Sequence, residues 1–318
     1  MMEEALRKLL EKQQYRIVEN NSAVKICTWT KKSLKNRGVC YKERFYGIRC
    51  HMCCQMTPDV NFCQNSCIFC WRNLEATEKN NKNMIIDDPL MIIDGTIKAQ
   101  KKLLEGFKGD DETSKKKYFE SLEPMHYAIS LSGEPTLYPK LAELIKELHK
   151  RKKTTFLVTN GLLPDALRLL EKEKALPTQL YVSIDAPNKE LFFQIDRCSL
   201  KNGWELLMET LDLLKKLKKK TRTTLRITAI KSLNMVHPEK YAGLIKRSDA
   251  TFVEVKAYMH VGASRERLEI KHMPYHEDIL EFSKEICKHS GYKIIDEQVQ
   301  SRVVLLMKKD IKNRIMKF

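Results

Sequence analysis

Apolar positions change period along the chain, and the change predicts an α/β fold. From residue 126 onward, short runs of Val, Ile, Leu and aromatic residues alternate with longer stretches of helical periodicity. Strands are predicted at 126–132, 154–160, 179–187, 223–230 and 251–258, and helices at 138–152, 163–174, 238–247 and 275–290. Two more helical stretches run up to Lys220, and residues 292–309 read as two closing strands. Strands separated by helices form βαβ units and a parallel sheet. Crossovers of this kind are right-handed, so six units curl into an incomplete (β/α)6 TIM-like barrel with its active face at the strand C-termini.

The first hundred residues are less regular. Residues 2–13 read as an amphipathic helix, 15–29 as an extended stretch, and 31–38 as a polar turn. Asp87-Asp88-Pro89 resembles a helix start, so 90–107 is helical and the polar run 108–121 a surface loop. No repeat or long linker interrupts the chain. One compact domain is expected, with residues 1–56 as an N-terminal cysteine-rich extension and 57–318 as the barrel core.

Charge narrows the class of partner. The 318 residues carry 58 basic and 41 acidic side chains, a formal net charge of +17. That balance favours a polyanion, nucleic acid first, over the lysine-rich surface of a heat-adapted protein. The N-terminus has no apolar signal core and no run is long enough to span a membrane, so a cytoplasmic protein is expected. In a reducing compartment, clustered cysteines read as metal ligands.

Eight of the ten cysteines lie between Cys27 and Cys70. Cys63, Cys67 and Cys70 form a C-x3-C-x2-C motif. Three thiolates hold a four-iron, four-sulfur cluster with one iron open, whereas structural zinc takes four ligands. Cys27, Cys40 and Cys53 form an equally spaced C-x12-C-x12-C pattern, which reads as a second three-legged site. Cys50 and Cys54 flank Cys53 and leave its third ligand ambiguous; a zinc site that also uses His51 stays open. Polar residues gather after successive strands: Ser132 to Thr136, Asn160 and Gly161, Ser183 and Asp185, Arg226 and Thr228, Glu254 and Lys256. Singly each is a turn or a helix cap. Together they make a polar ring on one face.

The triad spelled Cys63-x3-Cys67-Ile68-Phe69-Cys70, followed by Ser132-Gly133-Glu134-Pro135, resembles the radical S-adenosylmethionine superfamily. The resemblance implies a cluster on the three cysteines and S-adenosylmethionine on its open iron. It places Phe69 near the adenine, Ser132, Gly133 and Glu134 at the amino group, and Asn160, Ser183 and Asp185 at the ribose and carboxylate. More narrowly, YGIRCHMCCQMTP, CIFCWR, AISLSGEPTLYP, FVEVKAYMHVG and HMPYHEDILEF resemble the tRNA 4-demethylwyosine synthases, in the short archaeal form without a flavodoxin-like reductase.

This narrower likeness implies two four-iron clusters, the second on Cys27, Cys40 and Cys53. It implies a carbon–carbon lyase, acting as a monomer, that condenses pyruvate with N1-methylguanosine at position 37 of phenylalanine tRNA. The electrons would come from an external flavodoxin- or ferredoxin-type donor. Lys42 would hold pyruvate as a Schiff base, the substrate radical would add to the imine, and ring closure would release the lysine. Basic runs at 115–117, 150–153 and 215–222 suit RNA phosphates, and Trp71, Tyr258 or Tyr275 could receive the displaced base. The alternatives are another radical enzyme acting on RNA and a non-enzymatic zinc protein that binds RNA.

Overall fold

One ten-stranded mixed sheet organises the computed structural model, which describes residues 4–318. The first helix, α1 (Glu4–Lys12), agrees with expectation except for its start at residue 2, which lies outside the described residues. The stretch read as extended resolves into an antiparallel hairpin, β1 (Arg16–Val18) and β2 (Ser22–Lys25), followed by helix α2 (Thr28–Leu34). Helix α3 (Tyr41–Tyr46) leads to strand β3 (Cys53–Thr57), and a long loop then reaches α4 (Pro89–Leu104). As the sequence suggests, Asp88 caps α4 by accepting from the Leu90 amide, with Pro89 at the first position.

The predicted surface loop at 108–121 contains a helix, α5 (Lys115–Ser121). Its polar pattern hides one anchor: Tyr118 packs with Ile26, Leu34 and Leu104, so tertiary burial decides the conformation.

From β4 (His126–Ile129) the alternation holds: α6 (Leu141–Lys150), β5 (Thr154–Thr159), α7 (Pro164–Lys172), β6 (Gln179–Ser183), α8 (Lys189–Ile195) and α9 (Gly203–Leu217). Next come β7 (Arg222–Ala229), α10 (Pro238–Ser248), β8 (Phe252–Ala257), α11 (His276–Ser290), and the closing pair β9 (Lys293–Gln298) and β10 (Val303–Met307). Strands β3 to β8 are parallel and in sequence order. The hairpin β1–β2 extends one edge and β10–β9 the other, both antiparallel, and the sheet is not closed. Among the described residues, no helix is long and apolar enough to cross a membrane.

Alternation along the strands gives the sheet two apolar faces. Leu157, Leu180, Val182, Leu225, Ile227, Val253 and Val255 pack against the crossover helices. Residues of opposite parity, Phe156, Tyr181, Phe252, Val303 and Leu305, pack instead against Tyr41, Phe45 and Tyr46 of α3. Each such large side chain stabilises the fold by roughly 1.5–3 kcal/mol when fully buried. The α3 helix ends at Gly47, whose φ of +80° and lack of a side chain let the C-terminal segment pass; a Cβ there would lie 2.5 Å from the Met316 carbonyl. That segment is fastened by Met316 N–H donating to Tyr46 O (2.8 Å) and by Arg222 donating to the carbonyls of Asn313 and Arg314 (2.9 Å each).

Candidate active site

The loop after β3 carries Cys63, Cys67 and Cys70, and three separate elements pin it. The Glu134 amide donates to Phe62 O (2.7 Å), the Ile68 amide donates to Ile195 O at the end of α8 (2.9 Å), and Arg267 Nε donates to Ile68 O (3.1 Å). Arg267 also donates to the Cys70 carbonyl. Fixed backbone at these points brings the three thiols together, where burial raises the pKa of Cys63 and of Cys67 and the neighbouring Cys70 adds to both. Arg72 supplies the countercharge: it is half-buried and its Nε donates to Cys70 Sγ at 3.1 Å. Burial works against its positive charge, but the sulfurs of Cys70, Cys63 and Cys67 outweigh burial and raise its pKa. Sequence reasoning passed over Arg72; a basic residue two positions after the last cysteine was the available signal.

The residues predicted to hold the cofactor collect around this loop. Asn160 Nδ2 donates to Gln64 Oε1 (3.1 Å) and lies 3.9 Å from Cys63 Sγ. Ser132 donates to Val60 O (2.7 Å), and Phe69 packs beside Ile195 and Tyr258. Glu134 is committed to the protein: its carboxylate accepts from Thr136 N and Oγ1, Thr159 Oγ1 and Asn160 N at 2.6–3.1 Å, lashing the end of β4 to the end of β5. Burial nevertheless raises its pKa above the ordinary value. Asp185 accepts from the Thr228 amide at 2.8 Å, and burial pushes it up to about 6. It acts electrostatically on Cys67, whose thiol donates to Asp196 at 3.3 Å, so Asp185 and the unpredicted Asp196 share this site. Ser183 is half-buried at the end of β6, paired in register with Arg226.

Gly133 sets the approach of the β4 turn to the cysteine loop. Its φ is +74°, and a Cβ there would stand 1.9 Å from Asp59 O. Gly133→Ala is therefore expected to lower the unfolding midpoint by several degrees or give insoluble protein. Wild-type thermal stability in that variant would refute the packing argument.

Cys27, Cys40 and Cys53 come from three elements: the residue before α2, the residue before α3, and the first residue of β3. Burial pushes both Cys40 and Cys53 up to about 12, with Cys27 adding in each case. Thiols so placed ionise only beside a strong positive charge, the environment iron offers. Cys54 points to the opposite face of β3, is 0% exposed, and packs in the helix-side core. Cys50 is buried too, and its sulfur accepts the Cys40 amide at 3.4 Å. His51 is engaged by Glu120 at 2.7 Å. The strand period thus separates Cys53 from Cys54. Cys54→Ala is expected to keep about eight irons per chain and Cys53→Ser about four; equal iron content in the two would contradict this.

Lys42 lies on the inner face of the sheet, two residues past Cys40. Its Nζ stands 4.3 Å from the Tyr181 ring centroid and 5.3 Å from that of Phe156. Burial lowers its pKa, Glu254 opposes, and Arg226 adds to the lowering. Of the aromatics expected to receive a base, Tyr258 is 2% exposed and hydrogen-bonded to Ser264, which removes it. Trp71 is 41% exposed and Tyr275 64%, the latter with the Arg302 guanidinium 5.2 Å from its ring. The basic runs are partly spent on the protein itself: Lys153 pairs with Glu123, Lys218 with Asp249, and Arg222 holds the C-terminal segment.

A cysteine loop after the first parallel strand, ringed by polar strand ends, defines a class. Residues 57–245 match the Radical SAM superfamily, and residues 247–308 match the family described as Wyosine base formation. The chain belongs to the radical S-adenosylmethionine superfamily. Within it, the chain is 50% identical over 311 residues to the S-adenosyl-L-methionine-dependent tRNA 4-demethylwyosine synthase of Pyrococcus abyssi, covering 98% of this chain and 90% of that one. Identity to the Methanocaldococcus jannaschii protein of the same name is 42%, covering 98% of both. It is thus a member of the tRNA 4-demethylwyosine synthase family. A solved structure of TYW1 with a lysine-pyruvate adduct bound superposes with a TM-score of 0.88 at 40% identity, over 99% of this chain and all of that one. Membership removes the alternative of a non-enzymatic zinc protein.

Proposed function

We propose that this enzyme builds 4-demethylwyosine in tRNA by condensing pyruvate with N1-methylguanosine at position 37 of phenylalanine tRNA. The observation that carries the reading is Lys42 itself, a buried amine on the inner face of the sheet that lies over the Tyr181 and Phe156 rings and feels Cys40 and Cys53. The likeness to a protein solved with a lysine-pyruvate adduct supports it.

The six parallel strands are read as an incomplete (β/α)6 barrel, with residues 1–56 as the extension that brings the second set of cysteines. When bound to a reduced cluster on Cys63, Cys67 and Cys70, S-adenosylmethionine supplies a 5′-deoxyadenosyl radical. Phe69, Ser132, Gly133, Glu134, Asn160, Ser183 and Asp185 orient that cofactor and keep water out. Cys27, Cys40 and Cys53 hold the second cluster.

Lys42 performs the covalent step. Its Nζ adds to the keto carbon of pyruvate, the keto oxygen leaves as water, and a carbon–nitrogen double bond replaces the carbon–oxygen one. The imine keeps the methyl and carbonyl carbons in place for attack by the substrate carbon. Loss of the pyruvate carboxylate carbon makes the enzyme a carbon–carbon lyase, and ring closure returns the amine. A flavodoxin- or ferredoxin-type donor supplies electrons, and the enzyme works as a cytoplasmic monomer. Tyr275, exposed and backed by Arg302, and Trp71 are the surfaces on which a base leaving the anticodon stack would settle.

An anaerobic assay with reductant, S-adenosylmethionine, pyruvate and tRNA containing N1-methylguanosine tests the reading. A tricyclic nucleoside on digestion is expected. Its absence with two clusters in place would overturn the assignment.

A further inference from the structure

Three charged side chains beside Lys42 have no part in the reaction as described above. The strand register sets Ser183 against Arg226 and Arg226 against Glu254, with Lys256 against Thr228. All three project toward the face covered by α3. Glu254 is fully buried and accepts from the Tyr46 hydroxyl at 2.7 Å. Lys256 Nζ lies 6.0 Å from the Tyr41 ring centroid and donates to Ser301 O at 2.9 Å.

Arg226 is the anomaly. Its Nε is sealed from solvent and has no hydrogen-bond partner, and its guanidinium enters no ion pair among the described residues. The register-paired Glu254 does not close on it, and Glu254 Oε2 is also without a partner. The residue as a whole is half-buried, so its sealed Nε is an unmet donor while the rest of the guanidinium stays open to a ligand. Its planar fork of N–H donors matches a carboxylate.

We propose that Arg226 and Lys256 bind the carboxylate of the 2-oxo acid whose keto carbon reacts with Lys42. This rests on the reading of Lys42 given above and adds the group that selects and aligns its substrate. Arg226 and Glu254 both act on the Lys42 amine and also on Lys256, so the four side chains lie within electrostatic reach of one another on the face covered by α3. Two cations near the Lys42 amine, with Glu254 in the same group, suit a molecule whose carboxylate adjoins its ketone. The carboxylate then rests on protein cations and needs no iron of the second cluster.

The methionine carboxylate of the cofactor is the other carboxylate within reach of this barrel. Arg226 lies level with Ser183 and feels Asp185 as well as Tyr41 and Glu254, so its own position does not separate the two carboxylates. The 2-oxo acid is favoured because Lys256, the second cation, is held against Tyr41 of α3 and Ser301 O, on the side of Lys42.

The test uses the anaerobically purified holoenzyme. Labelled pyruvate is titrated, the imine is fixed with borohydride, and label is read on the Lys42 peptide by mass. Arg226→Gln and Lys256→Gln are each expected to raise half-saturating pyruvate about tenfold or more, the loss typical of a charged hydrogen bond. Wild-type enzyme is expected to prefer pyruvate over the neutral analogue pyruvamide by a similar factor, a comparison that stands even where a variant fails to fold. Unchanged half-saturation in folded variants, or equal trapping of pyruvamide, overturns the proposal. So does an Arg226→Gln enzyme whose S-adenosylmethionine binding falls tenfold while pyruvate saturation is unchanged, which assigns the arginine to the cofactor. No label on wild-type Lys42 at any pyruvate concentration overturns the Lys42 reading itself.

Discussion

Lys42→Ala is expected to remove all tricyclic product while leaving reductive cleavage of S-adenosylmethionine intact. The lysine touches the rings of Tyr181 and Phe156, and none of the residues that pin the Cys63–Cys70 loop depends on it. Losing its cation–π contacts costs about 0.5–2 kcal/mol, too little to unfold a chain with this core. Arginine at the same position would preserve the charge and stay inactive, because a guanidinium is no nucleophile for a ketone. The measurement is paired: 5′-deoxyadenosine and tricyclic nucleoside from the same anaerobic reaction. Product from the alanine variant, or loss of both readouts with folding and iron intact, would show that Lys42 does something else.

The second large effect reverses that pattern. Serine at Cys63, Cys67 or Cys70 is expected to abolish 5′-deoxyadenosine formation and to leave about four of about eight irons, those of the Cys27, Cys40 and Cys53 site. Borohydride should still fix pyruvate on Lys42, because the amine sits on α3, whose packing against β6, β8 and β10 does not involve this loop. Radical formation and substrate anchoring are therefore separable by single substitutions. A triad variant that keeps all its iron, or one that loses pyruvate trapping as well, would count against two independent sites.

Chemistry was easier to read in the sequence than local structure at the N-terminal end. The Cys63 triad and the Ser132–Glu134 segment are contiguous, so their spacing survives in one dimension, and the structure brings both together with Asn160. Strand β3 was not legible: five residues, two of them cysteines, show no clear alternation until Cys54 is seen buried and Cys53 partly open. Helix α3 was equally hidden. Tyr41, Lys42, Phe45 and Tyr46 are all buried, one of them a lysine, and only Glu43 and Arg44 face outward, so six residues hold too few turns to mark a period. Asp196 and Arg267 sit far along the chain in unremarkable surroundings, and only tertiary contact reveals that they hold the cysteine loop. The parallel strands from β4 to β8 were legible because each is flanked by a long amphipathic helix.

Helix α3 rests on Val303, Leu305 and Met307 and is strapped by residues 313–316. A ribosome makes the cysteines at 27, 40 and 53 long before it makes the strand that beds α3. During most of translation those thiols have no finished pocket. A metal centre on Cys27, Cys40 and Cys53 is therefore expected to load only after residues 303–316 are made and folded onto α3.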